Sequence, residues 1–130
     1  MSKYILFDIG GTNIKMATYG GCLSEVKEYP TEAKLGAEKL VEKIIDLISL
    51  ENNYSAIGIS TAGQVNAKDG YIIYANENMP GYTGTKWKEI LEAKFKVSVY
   101  VENDVNAAAL GEGYVGVAKG KDDYLCLTFG

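Results

Sequence analysis

The amino-acid sequence predicts an α/β domain with a mixed five-stranded sheet and helices on its faces. Two observations predict this class. Residues 4–29 contain short apolar or alternating segments separated by glycine pairs, whereas residues 36–51 switch to a helical period. Beyond residue 51, strand-like and helical segments alternate along the chain, which is typical of parallel strands joined by crossover helices.

The N-terminal part is predicted to form three consecutive antiparallel strands. Residues 4–9 are a short apolar run, and residues 14–19 alternate with a period of two. The glycine pair at residues 20–21 is typical of a hairpin turn, so residues 22–29 are expected to continue as the third strand.

The middle of the chain is predicted to form a helix, a buried strand and a small hairpin. Residues 36–51 carry an apolar stripe on one face, which indicates an amphipathic helix. Residues 54–60 read as the strand, and Asp-Gly at residues 69–70 is expected to turn a hairpin between residues 64–66 and 71–73.

The last part adds further helices and strands. Apolar residues at helical spacing predict a helix at residues 87–95, and valines at alternate positions predict a strand at residues 97–101. An alanine-rich helix is expected at residues 103–112 and a buried strand at residues 124–129.

Composition narrows the possible functions. The chain of 130 residues has 47% apolar and 23% charged residues, and its net charge of −4 includes no basic run, which disfavours a nucleic-acid partner. It contains no histidine, so His-dependent triads and His-ligated metals are excluded from it. Cys22 and Cys126 read as free thiols of a reducing compartment. With no membrane-length apolar run and no signal peptide, a cytoplasmic protein without a membrane partner is expected.

A glycine-rich turn after the first strand is a candidate phosphate-binding loop. Glycines let backbone N–H groups approach an anion and accept positive φ without strain. Neither a P-loop nor a dinucleotide fingerprint is present, and a hairpin turn that only requires glycine is the alternative. The candidate residues are Gly10, Gly11, Thr12 and Asn13 in the loop, Lys15 as a positive charge, and Asp8 as the ligand of a hydrated Mg²⁺.

An acidic turn at residues 102–106 is a candidate catalytic segment. Ligands of open α/β sheets gather at the carboxyl ends of strands. There Asp104 could accept the proton of an attacking hydroxyl while Asn103 binds a neighbouring hydroxyl. The alternative is helix capping, which Asn and Asp also favour, and both roles can coexist.

Four segments together resemble the ROK family of sugar kinases and sugar-sensing repressors. They are Asp8-Ile-Gly-Gly-Thr12, Gly58-Ile-Ser-Thr-Ala-Gly63-Gln-Val65, Asn78-Met-Pro-Gly-Tyr82 and Val101-Glu-Asn-Asp-Val-Asn-Ala-Ala-Ala-Leu-Gly-Glu112. Each is weak alone, but the four match in order and spacing along the whole chain. The resemblance implies the ribonuclease H-like, actin-like ATPase fold, with ATP bound between two lobes. Residues 1–118 would form the N-terminal lobe, and residues 119–130 the first strand of the second.

The resemblance also implies an activity, namely ATP-dependent phosphorylation of a hydroxyl on a hexose or N-acetylhexosamine, with Mg²⁺ as cofactor. Asp104 would be the general base. Lys15 stands where the family often has Arg. A lysine ammonium is a point charge and cannot make the two parallel hydrogen bonds that an arginine guanidinium makes to one phosphate. The implied phosphate motif is Asp8, Gly10, Gly11, Thr12, Asn13 and Lys15, and the implied sugar ligands are Gly63, Gln64, Asn76, Asn78, Asn103 and Asp104.

The rest of the family's site belongs to its second lobe. A second phosphate motif should start at Gly130, and the adenine pocket, a zinc-binding cysteine cluster and further sugar ligands lie beyond it. Structural zinc is therefore expected only there, and the full-length protein is expected to be a homodimer. The isolated 130 residues are predicted to fold but to lack kinase activity.

Two other functions remain open. A sugar-sensing repressor of this family would carry a winged-helix domain ahead of the glycine loop, whereas the first strand here is predicted from about residue 3. An actin-like or chaperone-type ATPase would lack the Asn103-Asp104 pair. Glucose, mannose, fructose, N-acetylglucosamine, N-acetylmannosamine and phosphorylated glucosides all fit as the sugar. Residues 58–65 slightly favour the N-acetylmannosamine kinase branch of the family.

Overall fold

A computed structural model describes residues 3–20, 24–75 and 77–103. The predicted helix at 103–112 and strand at 124–129 lie outside the described residues, apart from Asn103, and so do both cysteines. In chain order the elements are β1 (Tyr4–Ile9), β2 (Asn13–Tyr19), β3 (Lys27–Pro30), a 3₁₀ turn (Ala33–Leu35), α1 (Ala37–Ser49), β4 (Ala56–Thr61), β5 (Gln64–Asn66), β6 (Tyr71–Tyr74), α2 (Trp87–Phe95) and β7 (Ser98–Asn103).

The main sheet is mixed and has five strands in the order β3-β2-β1-β4-β7, as predicted. β1 pairs antiparallel with β2 on one side and parallel with β4 on the other, and β4 pairs parallel with β7. α1 is the crossover between β1–β3 and β4, and α2 precedes β7. The predicted small hairpin is β5–β6, which forms a separate antiparallel pair.

A single apolar core joins the sheet to both helices. Alternate residues of β1 are fully buried in it, and the apolar stripe of α1 packs against the same cluster while Glu38 and Glu42 remain exposed. Burying side chains of this size is worth about 1.5–3 kcal/mol each, so this cluster is a major source of stability for the described residues. Its largest fully buried members are Ile5, Phe7, Ile9, Ile14, Ile44, Ile48, Ile57, Ile59, Ile72, Tyr82 and Trp87.

The third strand begins later than predicted. It starts at Lys27 rather than at residue 22, because Ser24 is held against the end of β2. The Ser24 backbone N–H donates to the Thr18 carbonyl over 2.8 Å, and the Thr18 N–H donates to the Ser24 hydroxyl over 2.8 Å. A side chain thus replaces a strand partner at this point, and residues 24–26 run outside the ladder.

Helix α2 is fixed to both the hairpin and β7. The Lys88 backbone N–H donates to the Gly70 carbonyl over 3.0 Å. The Lys88 Nζ donates to Glu92 Oε2 over 2.8 Å and to the Val99 carbonyl over 3.1 Å, and the Val99 N–H donates to Glu92 Oε2 over 3.0 Å. The helix therefore holds the start of β7 in register. Among the described residues, no helix has the length and apolarity that a membrane crossing needs.

Gly70 of the hairpin packs closely against Lys88 of α2, so a larger residue at this position should destabilise the fold. Gly70 has a φ of +69°, and a Cβ there would overlap the Cβ of Lys88. We expect Gly70→Ala to lower the free energy of unfolding by about 3 kcal/mol, because left-handed strain and overpacking each contribute about 1–2 kcal/mol.

The matched control is Gly84→Ala, since Gly84 has a φ of +88° but no neighbour within 4 Å of its Cβ position. Only the backbone strain of about 1 kcal/mol is expected there. Urea unfolding followed by circular dichroism measures both variants, and equal losses would contradict the packing argument.

Candidate functional site

The carboxyl ends of three parallel strands meet at one edge of the sheet. The register pairs Ile9 of β1 with Thr61 of β4, and Thr61 with Asn103 of β7. Ligands of parallel α/β sheets bind at this edge, so the strand register itself assembles the candidate site. One residue earlier, on the opposite face of the sheet, the corresponding row is Asp8, Ser60 and Glu102.

The glycine loop links β1 to β2 with a backbone that differs from the predicted one. The Gly10 N–H donates to the Asn13 carbonyl over 2.9 Å, which leaves Gly11 and Thr12 at the tip. Neither Gly10 nor Gly11 has a φ in the left-handed region, so the turn does not use the positive φ that glycine accepts without strain. The small size of Gly10 permits close approach within the turn. A Cβ at Gly10 would lie 3.2 Å from the Asn13 carbonyl oxygen, whereas a Cβ at Gly11 would have no atom within 4 Å.

Thr31 holds this loop, and sequence reasoning missed it. Its Oγ1 donates to the Gly10 carbonyl over 2.8 Å, and its backbone N–H donates to the Thr12 carbonyl over 2.8 Å. The residue is only 1% exposed. No local signal marks the role, because Thr31 is 21 positions away from Gly10 in sequence.

Asp8 and Lys15 lie on either side of the loop. They are directly opposite each other across β1 and β2, and both are half-buried. Among the described residues, no three His, Cys, Asp or Glu side chains cluster as a metal site. A nucleotide-bound Mg²⁺ takes most of its ligands from phosphates and water and needs only one or two carboxylates, so Asp8 suits the predicted ion.

A hydrogen bond joins Gly63 to Asn103 across the edge. Asn103 ends β7, and its Nδ2 donates to the Gly63 carbonyl. Gly63 has a φ of +100°, and a Cβ there would approach the Tyr74 carbonyl oxygen to 3.0 Å, so the link between β4 and β5 requires glycine. Two residues predicted separately as sugar ligands therefore form one unit, which we call the Gly63–Asn103 unit.

Three buried side chains support the segment before Gly63. The Trp87 indole N–H donates to the Tyr82 hydroxyl over 2.8 Å, the Tyr82 and Thr61 hydroxyls are 2.6 Å apart, and the Thr61 hydroxyl donates to the Ala62 carbonyl over 3.1 Å. An indole can only donate and each hydroxyl has one hydrogen, so donation runs from Trp87 through Tyr82 and Thr61 to Ala62. We call this the Trp87–Tyr82–Thr61 chain. Burial raises the pKa of Tyr82 to about 12, although the hydrogen bond that its oxygen accepts from Trp87 acts in the opposite direction.

Of the other predicted sugar ligands, Gln64 and Asn78 belong to the described residues. Gln64 is exposed at the start of β5, and Asn78 is exposed in the loop after β6. Asn76 and Asp104 lie outside the described residues. Asn78 nevertheless shares a groove of about 860 Å³ with the glycine loop, whose lining includes Gly11, Thr12, Glu32, Leu35, Glu77 and Asn78.

Comparison with known proteins gives consistent matches. The sequence model that describes the ROK family matches residues 4–130. An uncharacterised protein of Clostridium perfringens is 44% identical, over 100% of this chain and 46% of its own length. A beta-glucoside kinase of Listeria innocua is 36% identical, over 98% of this chain and 44% of its own. The chain thus spans less than half the length of these curated relatives.

Solved structures agree with the predicted fold. A ROK family glucokinase from Streptomyces griseus, solved in complex with glucose and AMPPNP, matches with a TM-score of 0.72 and 29% identity. The match covers 92% of this chain and 38% of that one. The prediction of a ribonuclease H-like, actin-like ATPase fold is confirmed.

Tyr82→Phe tests the Trp87–Tyr82–Thr61 chain. The substitution leaves the buried indole N–H without its acceptor and removes the donor to Thr61. We expect the free energy of unfolding to fall by about 1–3 kcal/mol at neutral pH, the usual effect of an unsatisfied buried polar group. Urea unfolding measures this, and Tyr74→Phe, at a 57% exposed tyrosine, is the control with a negligible loss.

The same variant has an expected pH dependence. Because the pKa of Tyr82 rises from 10.0 to about 12 on folding, the unfolded chain loses this proton at a lower pH than the folded one. The associated stabilisation is complete below pH 10 and is lost as pH rises towards 12. The stability difference between wild type and Tyr82→Phe should therefore shrink across that window, and a constant difference would show that Tyr82 is not held protonated by burial.

Proposed function

The chain belongs to the ROK family, and we propose that it forms the N-terminal lobe of an ATP-dependent sugar kinase. The observation that carries the proposal is the position of two different sites at one sheet edge, the glycine loop after β1 and the Gly63–Asn103 unit after β4 and β7. The first suits a phosphate and the second a sugar hydroxyl. Phosphoryl transfer requires these two groups to be held side by side.

The glycine loop supplies the phosphate side in this proposal. The open space at Gly11 lets a phosphate oxygen approach the backbone, which a larger side chain would prevent. Thr12 and Asn13 add exposed polar side chains at the same tip. Lys15 would attract the phosphates, and Asp8 would hold a hydrated Mg²⁺ that offsets their charge. The AMPPNP bound to the Streptomyces griseus glucokinase supports ATP as the nucleotide.

The Gly63–Asn103 unit supplies the sugar side. Its hydrogen bond fixes the plane of the Asn103 amide, and a fixed amide offers a sugar hydroxyl a directional bond at little entropic cost. Gln64, Asn76 and Asn78 are proposed as further ligands. The glucose in the matched glucokinase and the activity named for the Listeria relative support a hexose or a hexose-containing substrate.

Asp104 is proposed as the general base, because it directly follows Asn103 in the sequence. Its carboxylate would take the proton of the sugar hydroxyl as that oxygen attacks the γ-phosphorus of ATP. The bond from the γ-phosphorus to the bridging oxygen of ADP breaks, and ADP leaves with the electron pair. The products are the sugar phosphate and ADP, with the proton on Asp104.

The remaining half of the cleft would come from a second lobe. The matched relatives are more than twice as long as this chain, and an actin-like cleft closes over ATP from both sides. We therefore propose that the adenine pocket, the second phosphate loop and any structural zinc lie in that lobe. The 130 residues alone are expected to fold without catalysing transfer.

Asp104→Asn tests the base. The variant keeps the size of the side chain but cannot accept a proton, so in the full-length protein we expect turnover to fall at least about 100-fold with sugar affinity retained. A coupled assay of sugar-dependent ADP release measures turnover. The control is Asp46→Asn, at an exposed position on α1. Near-normal turnover of Asp104→Asn would remove Asp104 from this role.

Gly11→Val tests the phosphate loop. Because a Cβ at Gly11 meets open space, the variant should keep its melting temperature. Nucleotide affinity should fall at least about tenfold, since the branched side chain occupies the space of the phosphates, and sugar affinity should change little. Isothermal titration with ADP and with sugar measures both, with Ala67→Val as a surface control. Unchanged nucleotide affinity would show that the loop is a hairpin turn without a role in phosphate binding.

A further inference from the structure

Thr31 contacts the glycine loop at both residues that flank Gly11. The hydroxyl donates to the Gly10 carbonyl and the backbone N–H donates to the Thr12 carbonyl, each over 2.8 Å. We propose that Thr31 is a positioning residue that orients the Gly11 N–H towards a nucleotide phosphate. The proposal rests on the function proposed above and assigns a role at the same site.

The orientation follows from peptide geometry. No described peptide bond is cis, and in a planar trans peptide the C=O and the following N–H point in opposite directions. When the Thr31 hydroxyl holds the Gly10 carbonyl, it therefore turns the Gly11 N–H away from Thr31. That N–H makes no hydrogen bond within the part of the chain that the structure describes. A Cβ placed on Gly11 would also meet no atom within 4 Å, so the described structure leaves open space beside this residue.

The loop needs such a restraint. Two-residue hairpin turns usually keep their strands paired through residues of positive φ, and turns without them splay the strands. Neither Gly11 nor Thr12 has a positive φ. The hydrogen bonds from Thr31, a residue that is itself only 1% exposed, restrain the turn instead.

Helix α1 in turn restrains Thr31. The Lys43 Nζ donates to the carbonyl of Pro30 over 2.7 Å and pairs with the Glu32 carboxylate, so it contacts both chain neighbours of Thr31. Ile44, the next residue of the helix, is fully buried in the core. Pro30 also pairs with Asn13 at the start of β2. The loop is thus connected to the rigid core through α1 and Thr31.

The test compares a variant that loses the hydroxyl with one that keeps it. Thr31→Val preserves volume and the backbone bond to Thr12 but removes the donor to Gly10, whereas Thr31→Ser retains it. Thr85→Val is the matched control, because the Thr85 hydroxyl also donates to a backbone carbonyl, that of Tyr82, over 2.7 Å. For each full-length variant, calorimetric titration with ADP in Mg²⁺ gives nucleotide affinity, and thermal unfolding gives stability.

We expect Thr31→Val to raise the Kd for ADP about tenfold, the equivalent of one lost hydrogen bond, while Thr31→Ser stays within about threefold of wild type. Thr85→Val should lose similar stability with unchanged ADP affinity. If Thr31→Val binds ADP as wild type does, Thr31 is only structural and the proposal is overturned. A loss in Thr31→Ser as large as in Thr31→Val overturns it as well.

Two further measurements keep the result decisive. If Thr31→Val does not fold, Thr31→Cys replaces it under the same criterion, because a thiol is a weak donor of similar size. Sugar-dependent ATP consumption by the wild-type protein is assayed separately. A wild type that binds ADP but phosphorylates no sugar contradicts the proposed kinase function, while the ADP affinities of the variants still decide the role of Thr31.

Discussion

The central position of β1 is the constraint on which the rest of the structure depends. β1 pairs with β2 on one side and β4 on the other, and Ile5, Phe7 and Ile9 are fully buried. Because side chains alternate between faces, a register shift of one residue would exchange Asp8 with Ile9 and place a carboxylate in the apolar core. The same pairing that buries the core therefore fixes where the glycine loop begins and which strand ends lie beside it.

The two halves of the candidate site are held by different kinds of interaction. On the glycine-loop side, Asp8 and Lys15 place opposite charges beside the loop, which the proposed phosphate and its cation would require. On the other side, the Trp87–Tyr82–Thr61 chain and the Gly63–Asn103 unit consist of neutral groups with directional hydrogen bonds. Neutral, directional groups suit the recognition of hydroxyls, whose positions matter more than their charge.

Sequence patterns predicted the sheet because its strands have local signatures. The alternation in β2 and the apolar run of β1 follow from burial of one face or both, and the helical period of α1 follows from its apolar stripe. The late start of β3 was missed because it depends on the Ser24 side chain binding the end of β2. The family resemblance indicated Gly63 and Asn103 as separate ligands, but not that they bind each other.

Other features could not be predicted because they depend on contacts between distant segments. Thr31 and Gly10 are 21 positions apart, as are Thr61 and Tyr82, and neither pair belongs to a repeating pattern. Gly10 and Gly11 do not use the positive φ that glycine accepts, and the loop is instead hydrogen-bonded by Thr31 from a distant segment. The assignments of Asn76 and Asp104 remain predictions.

The fixed direction of the Trp87–Tyr82–Thr61 chain has a consequence for proton movement. A proton wire works by reversing every hydrogen bond along it, and this chain cannot reverse, because the indole at one end has no lone pair to accept a proton. Tyr82, with a pKa of about 12, does not act as a proton acceptor or reservoir near neutral pH. A proton released at this edge of the sheet therefore cannot move into the core along these three side chains.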